Sequence, residues 1–218
     1  MTTPPTVLLL HGLARTSASL RKLESALQAA GHPTWNGGYP STQADLPALA
    51  ADVIARVRTE VGPGPVAAVT HSMGGILVRH IGARLPWTRI VMLAPPNGGS
   101  GVARSVKDWW LYRWIYGPAG QTVADGEAWP PPPAPCGVIA GTRGPSLDNP
   151  PSWLIQGLRL IPPGAESDGT VTVDETRGTP HVDFATVDAG HTRIMNHPET
   201  QRLVLRFLAT GSFKEEAA

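Results

Sequence analysis

The stretch AAVTHSMGGILVRH, residues 67–80, places Ser72 between two segments of different character. The apolar run Val66 to Val69 before it is typical of a buried strand, and Met73 to Leu85 after it has the composition of a helix. A strand that passes directly into a helix needs a tight turn, and Gly74 leaves room for the helix beside the strand. The stretch therefore predicts a strand–turn–helix unit with Ser72 at the turn.

Short apolar runs and amphipathic segments alternate along the rest of the chain. This order favours parallel strands joined by helices that cover both faces of the sheet. We expect an α/β fold with a mostly parallel open sheet of about six strands flanked by helices. The predicted strands are Val7–Leu10, Thr34–Trp35, Val66–Val69, Arg89–Leu93, Val138–Ala140 and Asp183–Val187.

Three further helices are predicted from periodicity and end signals. The first carries Leu20, Leu23, Leu27 and Ala30 on one stripe, with Ser17 or Ser19 as its cap. The second helix has Leu46, Leu49, Val53, Val57 and Val61 on its inward face. The third helix begins at Pro198.

Length and charge limit the class of protein. The 218 residues suit one α/β domain, with a cap-like insertion at about 100–135 and a solvated tail at 213–218. The formal net charge is +1 and no basic block is present, so the sequence gives no indication of nucleic-acid binding. The longest apolar run, Val7–Leu10, is far shorter than a membrane span.

The N-terminal residues and the cysteine content predict a location. The start MTTPPTVLLLHG has no positively charged region and no small-residue cleavage pattern, so no signal peptide is expected. The single cysteine, Cys136, excludes an internal disulfide and suits a reducing compartment. We therefore expect a cytoplasmic protein.

Residues able to carry chemistry follow the predicted strands. His11-Gly12-Leu13 and Ser72 come after two of them, Asp168 lies beyond the strand at Val138, and His191 follows the last strand. In open parallel sheets ligands bind outside the carboxyl ends of the strands. With the chain order Ser, Asp, His, the sequence resembles the α/β-hydrolase superfamily, and within it small bacterial lipases and carboxylesterases.

The resemblance implies a role for each of these residues. Ser72 would be the nucleophile, His191 its general base and then general acid, and Asp168 the carboxylate that orients the imidazole. Backbone N–H groups of Leu13 and Met73 would form the oxyanion hole. The implied substrate is a small-molecule or lipid ester, with transient contact with a lipid interface and the oligomeric state left open.

Each of these residues also has a plainer interpretation. Ser72 is a serine of the kind that caps helices in any α/β protein, and Asp168-Gly169 is a common turn. His191 competes with other histidines, among them His71, whose side chain is expected to point away from that of Ser72. The acid competes with nearby carboxylates: Glu166, Asp174 and Glu175.

Thr70 is a departure from the usual pattern. The elbow reads Thr70-His71-Ser72-Met73-Gly74, whereas glycine is usual in its first position and the small bacterial lipases often have alanine there. A β-branched residue suits the end of a strand. We therefore expect Thr70 to change local packing without removing activity.

Two aromatic or apolar segments are candidates for the substrate pocket. The stretch KDWWLYRWIYG at 107–117 and the stretch PSWLIQGLRLIPP at 151–163 both follow strand ends, where loops build sites. The first is interpreted as core, as a pocket wall or cap, or as an interfacial lid, and the second has the same ambiguity. The predicted pocket residues are Trp109, Trp110, Trp114 and Trp153.

The sequence lacks the motifs of other site chemistries. It contains no H-E-x-x-H pair, no cysteine cluster and no G-x-G-x-x-G loop, so neither a metal nor another cofactor is expected. The prediction is a hydrolase that cleaves carboxylic esters through an acyl-enzyme on Ser72. An acyltransferase or thioesterase with the same triad is the alternative, and a non-catalytic binding module is the alternative from another class.

Overall fold

The computed structural model describes residues 4–109, 117–121, 129–145, 150–158 and 160–215. Six strands form a sheet in the order β2-β1-β3-β4-β5-β6, and every neighbouring pair is parallel. The expected α/β architecture is therefore confirmed, with a sheet that is parallel throughout. The strands are β1 (Thr6–Leu10), β2 (Thr34–Trp35), β3 (Val66–His71), β4 (Trp87–Leu93), β5 (Cys136–Gly141) and β6 (Asp183–Val187).

Helices cover both faces of the sheet because its inner strands are apolar on both sides. On β1, Val7 and Leu9 belong to a core shared with the helices Arg21–Ala29 and Pro198–Thr210, whereas Leu8 and Leu10 belong to one shared with the helices Leu46–Glu60 and Met73–Ile81. A further helical segment lies at 117–121. The labelled helices are α1 (Arg21–Ala29), α2 (Leu46–Glu60), α3 (Met73–Ile81), α4 (Gly101–Val106), α5 (Pro150–Gly157), α6 (Val173–Arg177) and α7 (Pro198–Thr210).

The start of the first helix differs from the prediction. A 3-10 turn, Ser17–Leu20, precedes α1, and its cap residue is Thr16, so neither predicted serine caps the helix. Ser19 instead donates its hydroxyl to the carbonyl of Thr16 at 2.7 Å. Ala30 is exposed because α1 ends at Ala29 and the chain turns away there.

Helix α3 is shorter than the sequence indicated. It ends at Ile81 because Gly82 has a φ of 56°, a conformation that glycine adopts at little cost, and a 3-10 turn, Gly82–Arg84, follows. The helix still begins directly after Ser72, as predicted.

The parallel arrangement brings distant parts of the chain to one edge. The last residues of β1, β3, β4, β5 and β6 lie along the carboxyl edge of the sheet, so the loops that follow them meet there. In the described ranges no helix is both long enough and apolar enough to cross a lipid bilayer.

Candidate active site

Ser72 lies in a strained turn between β3 and α3. Its φ of 52° and ψ of −122° are unusual for a residue other than glycine. Such conformations cost about 1–3 kcal/mol and persist where neighbouring contacts fix them. Here the N–H of Ser72 donates to the carbonyl of Leu93 on β4, and its own carbonyl accepts from the N–H of Gly75, both at 2.9 Å.

Two glycines allow the loop after β1 to lie against this turn. A Cβ on Gly74 would be only 2.2 Å from the carbonyl oxygen of Leu10, so no larger residue fits without backbone movement. A Cβ on Gly12 would lie 3.0 Å from Nδ1 of His71 and 3.2 Å from Cβ of Ser72. The loop and the turn are therefore in contact through backbone atoms.

The side chain of Thr70 occupies space that Gly75 of α3 leaves open, because Gly75 has no side chain. The Thr70 side chain is fully buried, and its Oγ1 is 3.4 Å from the point where a Cβ on Gly75 would lie. Its hydroxyl has no hydrogen-bond partner in the described part of the chain. The first elbow position holds a β-branched residue because Gly75, on the facing helix, has no side chain.

The structure brings the three predicted reactive side chains into one hydrogen-bonded chain. Nδ1 of His191 is 2.6 Å from Oδ2 of Asp168, and Nε2 of His191 is 3.1 Å from Oγ of Ser72. A carboxylate can only accept, so Nδ1 of His191 carries the proton and Nε2 is left to accept from the serine hydroxyl. This is the arrangement that nucleophile activation by a general base requires.

Asp168 is held from several sides. Its side chain is 1% exposed, and Oδ1 accepts from the backbone N–H groups of Thr170 at 2.9 Å and Val171 at 2.8 Å. The backbone N–H of His191 donates to the carbonyl of Asp168 at 3.0 Å. Space for the carboxylate comes from Gly141, because a Cβ there would lie 2.8 Å from Cβ of Asp168.

The competing carboxylates are engaged elsewhere or exposed. Glu175 forms a capping box with Thr172 at the start of α6 and accepts from the N–H of Gly101 at 2.6 Å. Glu166 and Asp174 are exposed. Of the four carboxylates in the segment, Asp168 is the one hydrogen-bonded to His191.

His71 was a weak candidate for the general base because of its position in the sequence. In the structure it contacts the backbone carbonyl of His191. It is 1% exposed, and its Nε2 lies 2.9 Å from the carbonyl oxygen of His191. Since a carbonyl accepts, Nε2 carries the proton, and Nδ1 is left buried without a partner in the described residues. Burial above all, and then the charges of His191 and Arg15, hold the pKa of His71 well below its usual value. The ring therefore stays neutral.

His11 fixes the loop after β1 and has the opposite tautomer. Its Nδ1 donates to the carbonyl of Gly12 at 2.9 Å, and its Nε2 accepts from the N–H of Tyr39 at 3.3 Å. The Tyr39 ring stacks on it at 4.1 Å, and the Tyr39 hydroxyl donates to the carbonyl of His11. Burial is the main reason that the pKa of His11 is lowered.

The predicted oxyanion residues lie beside the serine. Leu13 and Met73 both line the cavity that contains Ser72 and His191. The next residue, Ala14, has a φ of 54°, and its N–H donates to Oγ of Ser41 at 3.1 Å. This contact holds the loop in a left-handed conformation that an alanine rarely adopts.

A cavity of about 330 Å³ opens onto Ser72 and His191. Trp153, predicted to line it, is 53% exposed, and Ile155 of the same helix α5 lines the cavity instead. Trp109 is 49% exposed and is also not in the lining, while Trp110 and Trp114 lie outside the described residues. The apolar lining of the cavity comprises Leu13, Met73, Pro96, Val102, Ala103, Ile155 and Val171.

Comparisons with known proteins identify likenesses of structure. No protein-family model matches the sequence, and no curated protein matches it significantly. The mature lipase BlEst2 of Bacillus licheniformis superposes with a TM-score of 0.71 at 19% identity, covering 95% of this chain and 93% of that one. Of the propeptide form of that lipase, the chain spans 53%.

Two other solved structures are similar over nearly the whole chain. The type II thioesterase BorB from the borrelidin biosynthetic cluster has a TM-score of 0.61 at 20% identity, covering 96% of this chain and 93% of that one. The carboxylesterase CesB of Bacillus subtilis has a TM-score of 0.56 at 14% identity, covering 97% and 85%. These likenesses, with the parallel sheet and its flanking helices, show that the chain has the α/β-hydrolase fold.

Proposed function

We propose that this chain is a serine hydrolase that cleaves carboxylic esters through an acyl-enzyme on Ser72. The observation that carries the proposal is the continuous hydrogen-bonded chain from Asp168 through His191 to the serine hydroxyl. A helix-capping serine needs neither of these partners. A binding module would have no use for a buried carboxylate aligned on the second imidazole nitrogen.

The first half of the reaction follows from the proton positions. Ser72 Oγ attacks the ester carbonyl while His191 Nε2 takes its proton, and the Asp168 carboxylate stabilises the imidazolium that forms. The N–H groups of Leu13 and Met73 stabilise the oxyanion. Collapse of the tetrahedral intermediate transfers the proton from Nε2 to the leaving alcohol and leaves an acyl group on Ser72.

The second half repeats these steps with water. His191 Nε2 takes a proton from the water as its oxygen attacks the acyl carbonyl, and the same proton then returns to Ser72 Oγ. The products are the carboxylic acid and the enzyme in its starting state. The apolar lining of the cavity, including Val102 and Ile155, suits the hydrocarbon part of an ester.

The test is covalent labelling combined with turnover. A fluorophosphonate should modify Ser72, and Ser72→Ala should lower kcat on p-nitrophenyl esters by about 10⁶. Ser25→Ala is the matched control, since Ser25 is an exposed serine on α1 that bonds only to the carbonyl of Arg21. A protein that hydrolyses no ester and is not labelled at Ser72 contradicts the proposal.

A series of esters from acetate to palmitate then defines the acyl length, and a steep preference for short acyl groups would exclude a lipase.

Thioester hydrolysis is the second candidate. It is favoured by the similarity to the thioesterase BorB over 96% of this chain. The same triad would serve, with a thiol as the leaving group. The ratio of kcat/KM for the thioester and the oxygen ester of one acyl group decides between the two. Alcoholysis products in the presence of an added alcohol would indicate an acyltransferase instead.

A further inference from the structure

The cavity beside Ser72 contains one fixed charge. Among the described residues that line it, Arg15 is the only lysine, arginine or carboxylate side chain. Other residues of the lining are apolar, among them Pro96, Val102 and Ile155. A neutral substrate whose only other groups are hydrocarbon would therefore leave the guanidinium group of Arg15 without a counter-charge in the binding site.

Arg15 also differs from other arginines of the protein. Arg56, Arg143 and Arg202 each form an ion pair with a neighbouring carboxylate. The Arg15 side chain is half-buried, yet within the described part of the chain it forms neither a hydrogen bond nor an ion pair. Burial lowers the pKa of its guanidinium group, which reflects the cost of removing that charge from water.

The backbone next to Arg15 is held in place beside the candidate oxyanion residue Leu13. It follows Leu13 by two residues, and the left-handed turn at Ala14, held by Ser41, separates them. Its charge contributes to the lowered pKa values of both His11 and His71, where burial is the main cause. Because Arg15 and Ser72 line the same cavity, Arg15 lies beside the serine turn, on a loop that is anchored through the backbone N–H of Ala14.

We propose that Arg15 binds a carboxylate or phosphate group carried by the substrate, so that this site prefers anionic esters or thioesters to neutral ones. A guanidinium group binds such anions through two parallel N–H···O bonds. An anion in the cavity would offset the desolvation of Arg15 that no carboxylate of the described chain offsets. The inference rests on the proposed function, and it names the chemical class of the substrate.

The test uses pairs of substrates that differ only in charge. For an anion on the acyl side, the pair is the mono-p-nitrophenyl ester of adipic acid and the p-nitrophenyl ester of adipamic acid. For an anion on the leaving-group side, it is the hexanoyl thioester of 3-mercaptopropionate and that of 3-mercaptopropionamide. In each pair a carboxylate is replaced by a carboxamide of nearly the same shape.

In the wild-type protein we expect kcat/KM for the anionic member of at least one pair to exceed that of its neutral partner by about ten- to hundredfold. Arg15→Met should reduce this ratio to about one, whereas Arg15→Lys should keep part of it. The preference should also fall as salt is added. Arg21→Met is the matched control because it removes one exposed positive charge outside the cavity and should leave the ratio unchanged.

Two results would overturn the inference. One is the absence of a charge preference in both pairs, and the other is a preference that survives in Arg15→Met. Each is distinct from failure of the proposed function, which would abolish turnover of neutral and anionic substrates alike. In that case, calorimetric titration of Ser72→Ala with monohexyl adipate and with hexyl adipamate still decides whether Arg15 selects the anion, because that protein needs no turnover to bind.

Discussion

The serine turn around Ser72 and the loop at residues 168–171, here called the acid loop, hold their polar side chains by different means. Around Ser72 the geometry depends on absent side chains, since Gly74 brings the helix within contact of the Leu10 carbonyl. Around Asp168 it depends on polar contacts, since two backbone N–H groups and an imidazole satisfy one carboxylate. The turn is therefore sensitive to added atoms, and the acid loop is sensitive to lost charge or lost acceptors.

Among the substitutions that test this comparison, the largest effect is expected where the acid loop loses its charge. Asp168→Asn should lower kcat by about 10⁴, because an amide can favour the wrong tautomer of His191 and no longer stabilises its protonated form. Asp174→Asn is the control, since Asp174 is exposed on α6 and should keep wild-type activity. Steady-state kinetics on one ester measures both. If Asp168→Asn were fully active and Asp174→Asn inactive, the assignment of the acid to Asp168 would be wrong.

The serine turn should fail through added volume. Gly74→Ala should reduce the free energy of unfolding by more than about 3 kcal/mol, because its Cβ would meet backbone atoms that cannot rotate away. In Gly75→Ala the nearest atom is Cβ of Pro95 at 3.0 Å, so the loss should be clearly smaller. Urea unfolding of the two variants measures the difference. Equal stability would show that the turn has more room than the structure indicates.

The buried histidines between the two regions should make stability depend on pH. A folded-state pKa below the unfolded value means that the folded chain binds the proton less readily. The loss of stability begins below about pH 6.5 and continues, at up to about 1.4 kcal/mol per pH unit for each histidine, until the pH reaches the folded-state pKa. His71→Gln keeps a donor for the His191 carbonyl but does not titrate.

The unfolding free energies of wild type and His71→Gln should therefore change with different slopes as the pH falls from about 6.5 to about 5, because the pKa of His71 is lowered in the folded protein. The variant should have the shallower slope, and His11 should still contribute to it. Parallel slopes would mean that folding does not lower the pKa of His71.

The smallest effect concerns strain at the nucleophile itself. Ser72→Gly should be more stable than Ser72→Ala by about 1 kcal/mol, because glycine adopts a φ of 52° without steric cost. Both variants lack the hydroxyl, so thermal unfolding compares the backbone alone. A more stable alanine variant would show that the turn at Ser72 is not strained.

The sheet could be predicted, and Ser72, Asp168 and His191 could be expected to lie together, because the signals for both are local. Apolar runs indicated each strand, and a serine between a strand and a glycine pair indicated the turn. Alternating strands and helices place strand ends together, so residues after those ends could be expected to meet. Asp168 was distinguished from the nearby carboxylates only by the resemblance to lipases, and in the structure Asp168 is the one that is hydrogen-bonded to His191.

What the sequence did not indicate depends on contacts between distant residues. The contact of His71 with the His191 carbonyl spans 120 positions, and no pattern around His71 predicts it. The lack of an ion-pair partner for Arg15 among the described residues is likewise a property of the folded surroundings. Aromatic content indicated Trp153 as a pocket residue, but the orientation of α5 turns Ile155 toward the cavity and leaves Trp153 half exposed.

The sequence separation of the reactive groups has a consequence for how the protein is made. Ser72 and its turn lie in the first half of the chain, whereas His191 follows β6 and contacts the serine across 119 positions. A nascent chain or a proteolytic fragment that stops before β6 holds the hydroxyl with no base beside it. Under the proposed mechanism, reactivity toward esters would therefore arise only when synthesis and folding have reached the last strand, and an incomplete chain would carry Ser72 without its general base.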